Sequence, residues 1–338
     1  MIEHRRREPA PGIFRLILPL PFPDLDRVNA YALAGDDGIT LVDSGIKDPA
    51  ADDEGSLIHL EAALGGAGFA LSDLRRLVVT HPHPDHYGLA RRVNDVTGCE
   101  LWMQADCGEE LAFYRNPEVA RGRLRTLYSQ HGIAGDDLDE LTGFVEWGSF
   151  LTGVIEPTRP VHDGDEFQAA GRTWTMVHTP GHSRSHVCLW SANDRILISG
   201  DHLLATVTPH IDFYGGEEDP LGDFLGSLAK IERLDPGVVL PGHGRPFPEG
   251  GARARAVERH HDRRLGSILQ VIRREPCTLD EITDEIFGLT LLNFQRRLAL
   301  GEALAHLVYL LKRGEIEQLG EDRIYRYRKS NRRGSRGS

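Results

Sequence analysis

The sequence predicts an α/β protein with a smaller C-terminal part in which helices are followed by a hairpin. Three observations carry this expectation. Short apolar runs rich in β-branched residues, such as Leu77-Val78-Val79 and Val238-Val239-Leu240, end abruptly at Pro, Gly, Asp or His. Apolar residues at helical spacing lie between several of those runs. After Gly250 and Gly251 the composition turns to Arg-rich helix.

Taken in order, Ile13 to Leu18 reads as a strand broken by Pro19 to Pro23. Val28 to Leu33 alternates, and Gly38 to Asp43 gives a third strand closing on Asp43-Ser44-Gly45. Leu57, Leu60 and Leu64 then mark one helix face, the usual crossover between parallel strands. A strand over 77–80, a helix near 88–96 and a strand from Cys99 to Met103 follow. Residues 104–153 read as a helical insertion, with Leu138, Leu141, Phe144 and Val145 on one face and Leu124, Leu127 and Tyr128 on another. Strands resume at Val161, turn at His162-Asp163-Gly164-Asp165, and continue through Trp174–His178, Val187–Trp190, Arg195–Ser199 and Val238–Leu240.

The C-terminal part begins with a helix whose apolar face is Val257, Leu265, Ile268, Leu269 and Ile272, ended by Pro276. Thr278 and Glu281 form a capping box for the next helix. A longer helix spans about 294–312 and stops at Gly314. Ile316–Leu319 and Ile324–Tyr327, joined by Gly320-Glu321-Asp322, read as a hairpin, and 330–338 as a disordered tail. The domains expected are therefore 1–250 and 251–329.

The run His81-Pro82-His83-Pro84-Asp85-His86 organises the rest. Its prolines exclude a helix across the loop. In an extended backbone His81 and His83 point the same way and can share one metal ion. Asp85 and His86 fall where a helix begins, so they diverge toward a second position. An ordinary polar turn would favour Gly, Asn and Asp over three imidazoles.

This pattern, His81-x-His83-x-Asp85-His86-x-Gly88, resembles the metallo-β-lactamase superfamily of metallohydrolases. Its later landmarks follow in order: Thr179-Pro180-Gly181-His182, Gly200-Asp201-His202 and Pro241-Gly242-His243-Gly244. The resemblance implies a four-layer αβ/βα sandwich with the site on loops at one sheet edge. It assigns His81, His83 and His182 to one ion, Asp85, His86 and His243 to a second, and Asp201 to both. Asp85 is also the expected catalytic group, orienting the attacking water or taking its proton. Asp43 and His202 are expected to support the ligands from behind without binding metal. Two divalent ions follow, zinc foremost with manganese or iron as alternatives. They would share a hydroxide able to attack a carbonyl or phosphoryl centre.

The helices and hairpin at the C-terminus look like a winged helix, which the LACTB2-like hydrolases of this superfamily also carry. Such a module can read nucleic acid, pack on the catalytic domain, or meet a second copy in a homodimer. Glu281, Asp284, Glu285 and Glu302 dilute its basic residues and favour a structural use.

Composition narrows the function further. Net charge is −12, and the first 250 residues carry −18 while the remainder carries +6. An acidic body repels polyanions, which disfavours nucleic acid as a partner. The 4 cysteines lack paired spacing, whereas 16 histidines favour a His and carboxylate site. No run is apolar enough for a membrane span, and the charged, proline-bearing Met1 to Pro11 has no signal-peptide core, so a cytoplasmic location is expected. The leading expectation is hydrolysis of a small to medium ester, thioester or lactone. The alternatives are an endoribonuclease or phosphodiesterase, a mononuclear iron oxidation of the persulfide dioxygenase type, and, last, a nonenzymatic binding module. β-Lactam cleavage is disfavoured by the missing export signal. Candidate substrate contacts are His186, His210 and Tyr214, with Tyr114, Arg115, Tyr128 and His131 from the insertion and Thr206 and Asp212 from the 203–220 loop; His162 and His178 are read as structural.

Overall fold

The computed structural model describes residues 7–330 except 23–24, 51, 53–54, 217, 290–292 and 321–323; the side chains of 144–146 and 293–294 are also outside the description. The sequence expectations for the 330–338 tail and the Glu321-Asp322 turn therefore lie largely outside the described residues.

Two six-stranded sheets face each other. The first runs β1 (Ile13–Phe22), β2 (Leu25–Gly35), β3 (Gly38–Val42), β4 (Leu74–Val78), β5 (Glu100–Gln104) and β6 (Arg159–Val161) in spatial as well as chain order. The second comprises β7 (Glu166–Ala169), β8 (Arg172–His178), β9 (Val187–Ser191), β10 (Ile196–Gly200), β11 (Val238–Pro241) and β12 (Phe247–Pro248), again in order. Between them lies an apolar layer drawn from both, with Tyr31, Val42, Val78 and Trp102 against Trp174, Met176, Leu189 and Leu240. The outer face of the first sheet packs on the helices Ile58–Gly66 and Ala90–Thr97, and that of the second on Pro220–Leu234 and Gly250–Val271. These are the four layers of an αβ/βα sandwich.

Pairing explains where the loops gather. β3 and β4 run parallel, as do β10 and β11, so within each pair the C-terminal ends open on the same side. A backbone bond from Val187 N to Thr80 O at 2.9 Å ties the two sheets together there.

The prolines behave differently from expectation at two places. β1 continues through Pro19 to Phe22, with a register shift between those residues. It is an edge strand, and a proline there removes no ladder bond that the sheet needs. Pro84 likewise opens a short helix, Pro84–Tyr87, because at the first helical position its missing N–H has no partner to lose.

The insertion folds as helices Gly108–Arg115, Pro117–Gln130 and Gly135–Gly143, closed by a 3₁₀ stretch, Phe144–Phe150. Beyond Gly250–Val271 come the helices Leu279–Phe287 and Asn293–Lys312 and the hairpin of β13 (Ile316–Leu319) and β14 (Arg326–Lys329). The capping box is formed in both directions, Glu281 N to Thr278 Oγ1 at 3.2 Å and Thr278 N to Glu281 Oε2 at 2.7 Å. The second hairpin strand starts two residues later than the sequence predicts. Tyr327 sets that register, being buried and bonded through its backbone to Cys277. Among the described residues, no helix is long and apolar enough to cross a membrane.

Candidate metal centre

The loops after β4, β8, β10 and β11 bring seven side chains to one edge of the sandwich, with Asp43 from the end of β3 behind them. Donor atoms of His81, His83 and His182 lie within 4.8 Å of one another, as do those of Asp85, His86 and His243. Asp201 stands between the two groups. Its Oδ2 is 3.8 Å from His182 Nε2 and 3.3 Å from His243 Nε2, and its Oδ1 is 3.4 Å from His86 Nε2.

Each imidazole whose partners are resolved is gripped at Nδ1 and faces the centre with Nε2. His81 Nδ1 pairs with Thr80 Oγ1 at 3.0 Å, and His86 Nδ1 with Asp43 Oδ2 at 2.8 Å. His182 Nδ1 donates to the carbonyl of His210 at 2.7 Å, and His243 Nδ1 to that of Arg27 at 2.9 Å. Nε2 of His81, His86 and His182, and Oδ1 of Asp201, are buried without a hydrogen-bond partner among the described residues. Orphaned buried acceptors of this kind are costly unless something cationic satisfies them. A set of imidazole and carboxylate donors is the chemistry of a divalent metal site, and these residues fit one.

The charges agree. Burial and the neighbouring imidazoles push His81 well below the usual histidine value and His83 down to about 3, so this side is neutral. Burial would lower His86 and His243 too, but the carboxylates Asp85 and Asp201 outweigh it. His86 is raised well above its ordinary value and His243 to about 10. Burial works to raise Asp85, yet His86 and His243 hold it at about 2. The carboxylate side thus draws positive charge to itself.

Two glycines make the geometry achievable. A Cβ on Gly242 would overlap Asp201 Oδ1 and stand 2.7 Å from His86 Cε1. At Gly200, where φ is +46, it would stand 2.7 Å from His186 Nε2 and 2.9 Å from Thr80 Oγ1.

The surrounding residues sort as follows. Asp43, itself at φ +63, accepts from Thr80 N at 2.7 Å, from Thr80 Oγ1 at 2.9 Å and from His86 Nδ1. His202 is buried with its ring 6.0 Å from that of His186 and 5.0 Å from Phe224, so it packs behind the ligand loops. His186 is not placed to meet substrate. It is fully buried, its Nδ1 is 2.8 Å from Thr179 Oγ1 and its Nε2 accepts the amide of Asp201 at 3.2 Å, so it holds the backbone of a candidate ligand. His210 contributes its carbonyl to His182, while its ring turns to Asp212 and Glu302. Tyr128 and His131 are buried in packing; His131 Nε2 is 2.7 Å from Tyr327 Oη. Arg115 is exposed and paired with Glu156. Tyr114 lies within electrostatic reach of Asp85, and the rings of Phe113 and Tyr214 are 5.6 Å apart beside it.

Sequence reasoning missed Glu110. From the insertion helix Gly108–Arg115 it accepts from Ser183 Oγ at 2.6 Å, Arg184 N at 3.1 Å and Ser185 N at 3.0 Å, clamping the loop that follows His182. No local pattern marks it, since its partners lie more than 70 positions away. Thr80, read from the sequence only as the end of the 77–80 strand, is a second supporting residue, its Oγ1 lying between Asp43 Oδ2 and His81 Nδ1. A further grouping, His261, Glu302 and His306, is largely paired within itself and with Arg264: His261 Nδ1 meets His306 Nε2 at 3.2 Å, and Arg264 neutralises Glu302 at 2.6 Å, while His261 Nε2 has no hydrogen-bond partner among the described residues.

Residues 23–243 match the profile of the metallo-beta-lactamase superfamily. The chain belongs to this superfamily of metallohydrolases. Residues 265–330 match a second profile, the metallo-beta-lactamase-like C-terminal domain. The crystal structure of the metallo-beta-lactamase family protein TTHA1429 from Thermus thermophilus superposes with a TM-score of 0.81 at 29% identity, covering 95% of this chain and 99% of that one. The probable metallo-hydrolase YqjP of Bacillus subtilis is 24% identical over 81% of this chain and 85% of its own length. The human acyl-coenzyme A thioesterase MBLAC2 is 26% identical over 66% of this chain and 75% of its own. With its His and Asp cluster, this superfamily member is an enzyme of the metallo-hydrolase class.

Proposed function

We propose that this enzyme hydrolyses an acyl thioester at a centre of two divalent ions, zinc foremost. The observation that carries the reading is the cluster of donor atoms at one edge of the sandwich, in which Nε2 of His81, His86 and His182 and Oδ1 of Asp201 are buried with no hydrogen-bond partner among the described residues. In this reading His81, His83 and His182 hold one ion, Asp85, His86 and His243 the other, and Asp201 both. Metal bound there supplies Lewis acidity and lowers the pKa of water to about 7.

The chain's own groups do the rest. Asp85, held ionised, is the acceptor that orients the attacking water. Tyr114 and Tyr214, with Phe113, offer an apolar wall from the insertion and the 203–220 loop, suited to an acyl chain. A thiolate leaves without a proton, so this reaction needs no general acid. The thioesterase name of the human relative favours thioesters over esters and lactones. Residues 1–250 then form the catalytic domain, 104–153 its substrate wall, and 251–329 a winged-helix-like support.

The test is metal-stripped protein reloaded with Zn²⁺, Mn²⁺ or Fe²⁺ and offered acyl-CoA thioesters, aryl esters, lactones and RNA in parallel, with metal counted per chain. Thioester cleavage that follows a two-ion load is expected. Preference for RNA, or one iron per chain with no hydrolysis, overturns the reading.

A further inference from the structure

The C-terminal helix Asn293–Lys312 presents three consecutive features to the segment behind His182. Arg297 Nη2 donates to Asp212 Oδ2 at 2.6 Å, both side chains being almost wholly buried. Gly301 lets Asp212 approach where any Cβ would overlap its Oδ1. Glu302 Oε2 lies 3.7 Å from His210 Nδ1, while its Oε1 is held by Arg264 at 2.6 Å. Residues 210–212 are thus pinned at both ends, by the ring of His210 and the carboxylate of Asp212. It is the carbonyl of His210, inside that pinned segment, that accepts Nδ1–H of His182 at 2.7 Å.

We propose that the 293–312 helix is a positioning element for the metal centre, fixing through Arg297, Gly301 and Glu302 the carbonyl that aims His182. The inference rests on the reading of His182 as a metal ligand. Arg297 and Gly301, four residues apart, share one helix face toward Asp212, and Glu302 reaches His210 from the flank of that face. A buried Arg–Asp pair contributes fixed geometry more than stability, and geometry is what an imidazole aimed at a metal requires. The helix face that carries Arg297 and Gly301 is committed to the 210–212 segment.

The test is Zn²⁺ titration of the metal-free full chain against a chromophoric chelator, with Co²⁺ absorption as the reporter of ligand geometry. Arg297→Met and Gly301→Ala are expected to weaken one of the two ions by about 10- to 100-fold and leave the other unchanged. Arg296→Gln is the control: its guanidinium pairs with Asp284 at 2.9 Å and with Asp280 on the helix Leu279–Phe287, not with the 210–212 segment. It is expected to bind both ions as wild type does. Circular dichroism reports folding, and should Arg297→Met unfold, Glu302→Gln keeps its place beside Arg264 and tests the same link. Unchanged affinities and Co²⁺ spectra in the folded variants, or an equal loss in Arg296→Gln, overturn the proposal. A wild-type chain that takes up no Zn²⁺ overturns the metal reading first, and this inference with it.

Discussion

Replacing Asp43 with Asn isolates the support behind the metal centre. Asp43 receives three donors, Thr80 N, Thr80 Oγ1 and His86 Nδ1, at 2.7, 2.9 and 2.8 Å, and its side chain is only 3% exposed. An amide of the same shape offers one acceptor oxygen and two N–H donors. With the oxygen toward Thr80 N, the NH₂ faces His86 Nδ1–H. With the oxygen toward His86, the NH₂ faces the Thr80 amide. The first orientation is relieved only if His86 moves its proton to Nε2, which takes its lone pair away from the centre. Thr80 Oγ1 can rotate to accept from the new NH₂, but its hydroxyl hydrogen then loses the acceptor it had at position 43, while His81 Nδ1 still needs the same oxygen. Loss of such support costs about 10- to 100-fold in metal affinity, or about 1.4–2.7 kcal/mol. Zn²⁺ titration against a chelator should show that loss at the ion that His86 would hold in the proposed two-ion centre, with melting temperature measured on the metal-free proteins to separate it from unfolding. An Asn variant that binds two ions with wild-type affinity would refute the tautomer argument.

Four other outcomes follow from the same geometry. Gly242→Ala should displace the Asp201 carboxylate and weaken metal binding by about tenfold or more, while far-UV circular dichroism stays near wild type. His186→Phe should leave the amide of Asp201 buried without an acceptor, lowering the stability of the metal-free chain by about 1–3 kcal/mol in urea titrations. Removing metal should abolish hydrolysis and lower the melting temperature, because a ligand at 100 times its Kd stabilises by about 2.7 kcal/mol; readdition of Zn²⁺ should restore both. Glu302 gives the pH dependence: burial raises it, but His210 and Arg264 outweigh burial and hold it at about 2. A depressed carboxyl contributes stability that is present above its ordinary value of 4.5 and lost as pH falls toward 2, here about 3 kcal/mol. Between pH 6 and 3 the melting temperature of Glu302→Gln should therefore fall less than that of wild type, and equal slopes would count against the assignment.

Much of the centre was readable because its residues sit in short stretches beside strong local signals. A β-branched strand ending in Pro, Gly and His is visible without coordinates, and it recurs around His81, His182 and His243. The capping box at Thr278 was equally local. The misplaced features were those in which a neighbour decides. Pro19 stays in β1 because that strand is at the edge, and Pro84 starts a helix because it is first. Tyr327 takes its register from Cys277, fifty positions earlier.

The sequence alone determined which side chains are candidate donors at the strand ends, since donor chemistry and strand-end spacing are properties of the local chain. Only the tertiary structure decided what stands behind them: Glu110 on the His182 loop, His186 beneath Asp201, and Arg297 with Glu302 holding the segment of His210. Those contacts join groups far apart along the chain, and neither periodicity nor motif encodes a distance that arises when two sheets and a C-terminal helix close on one another.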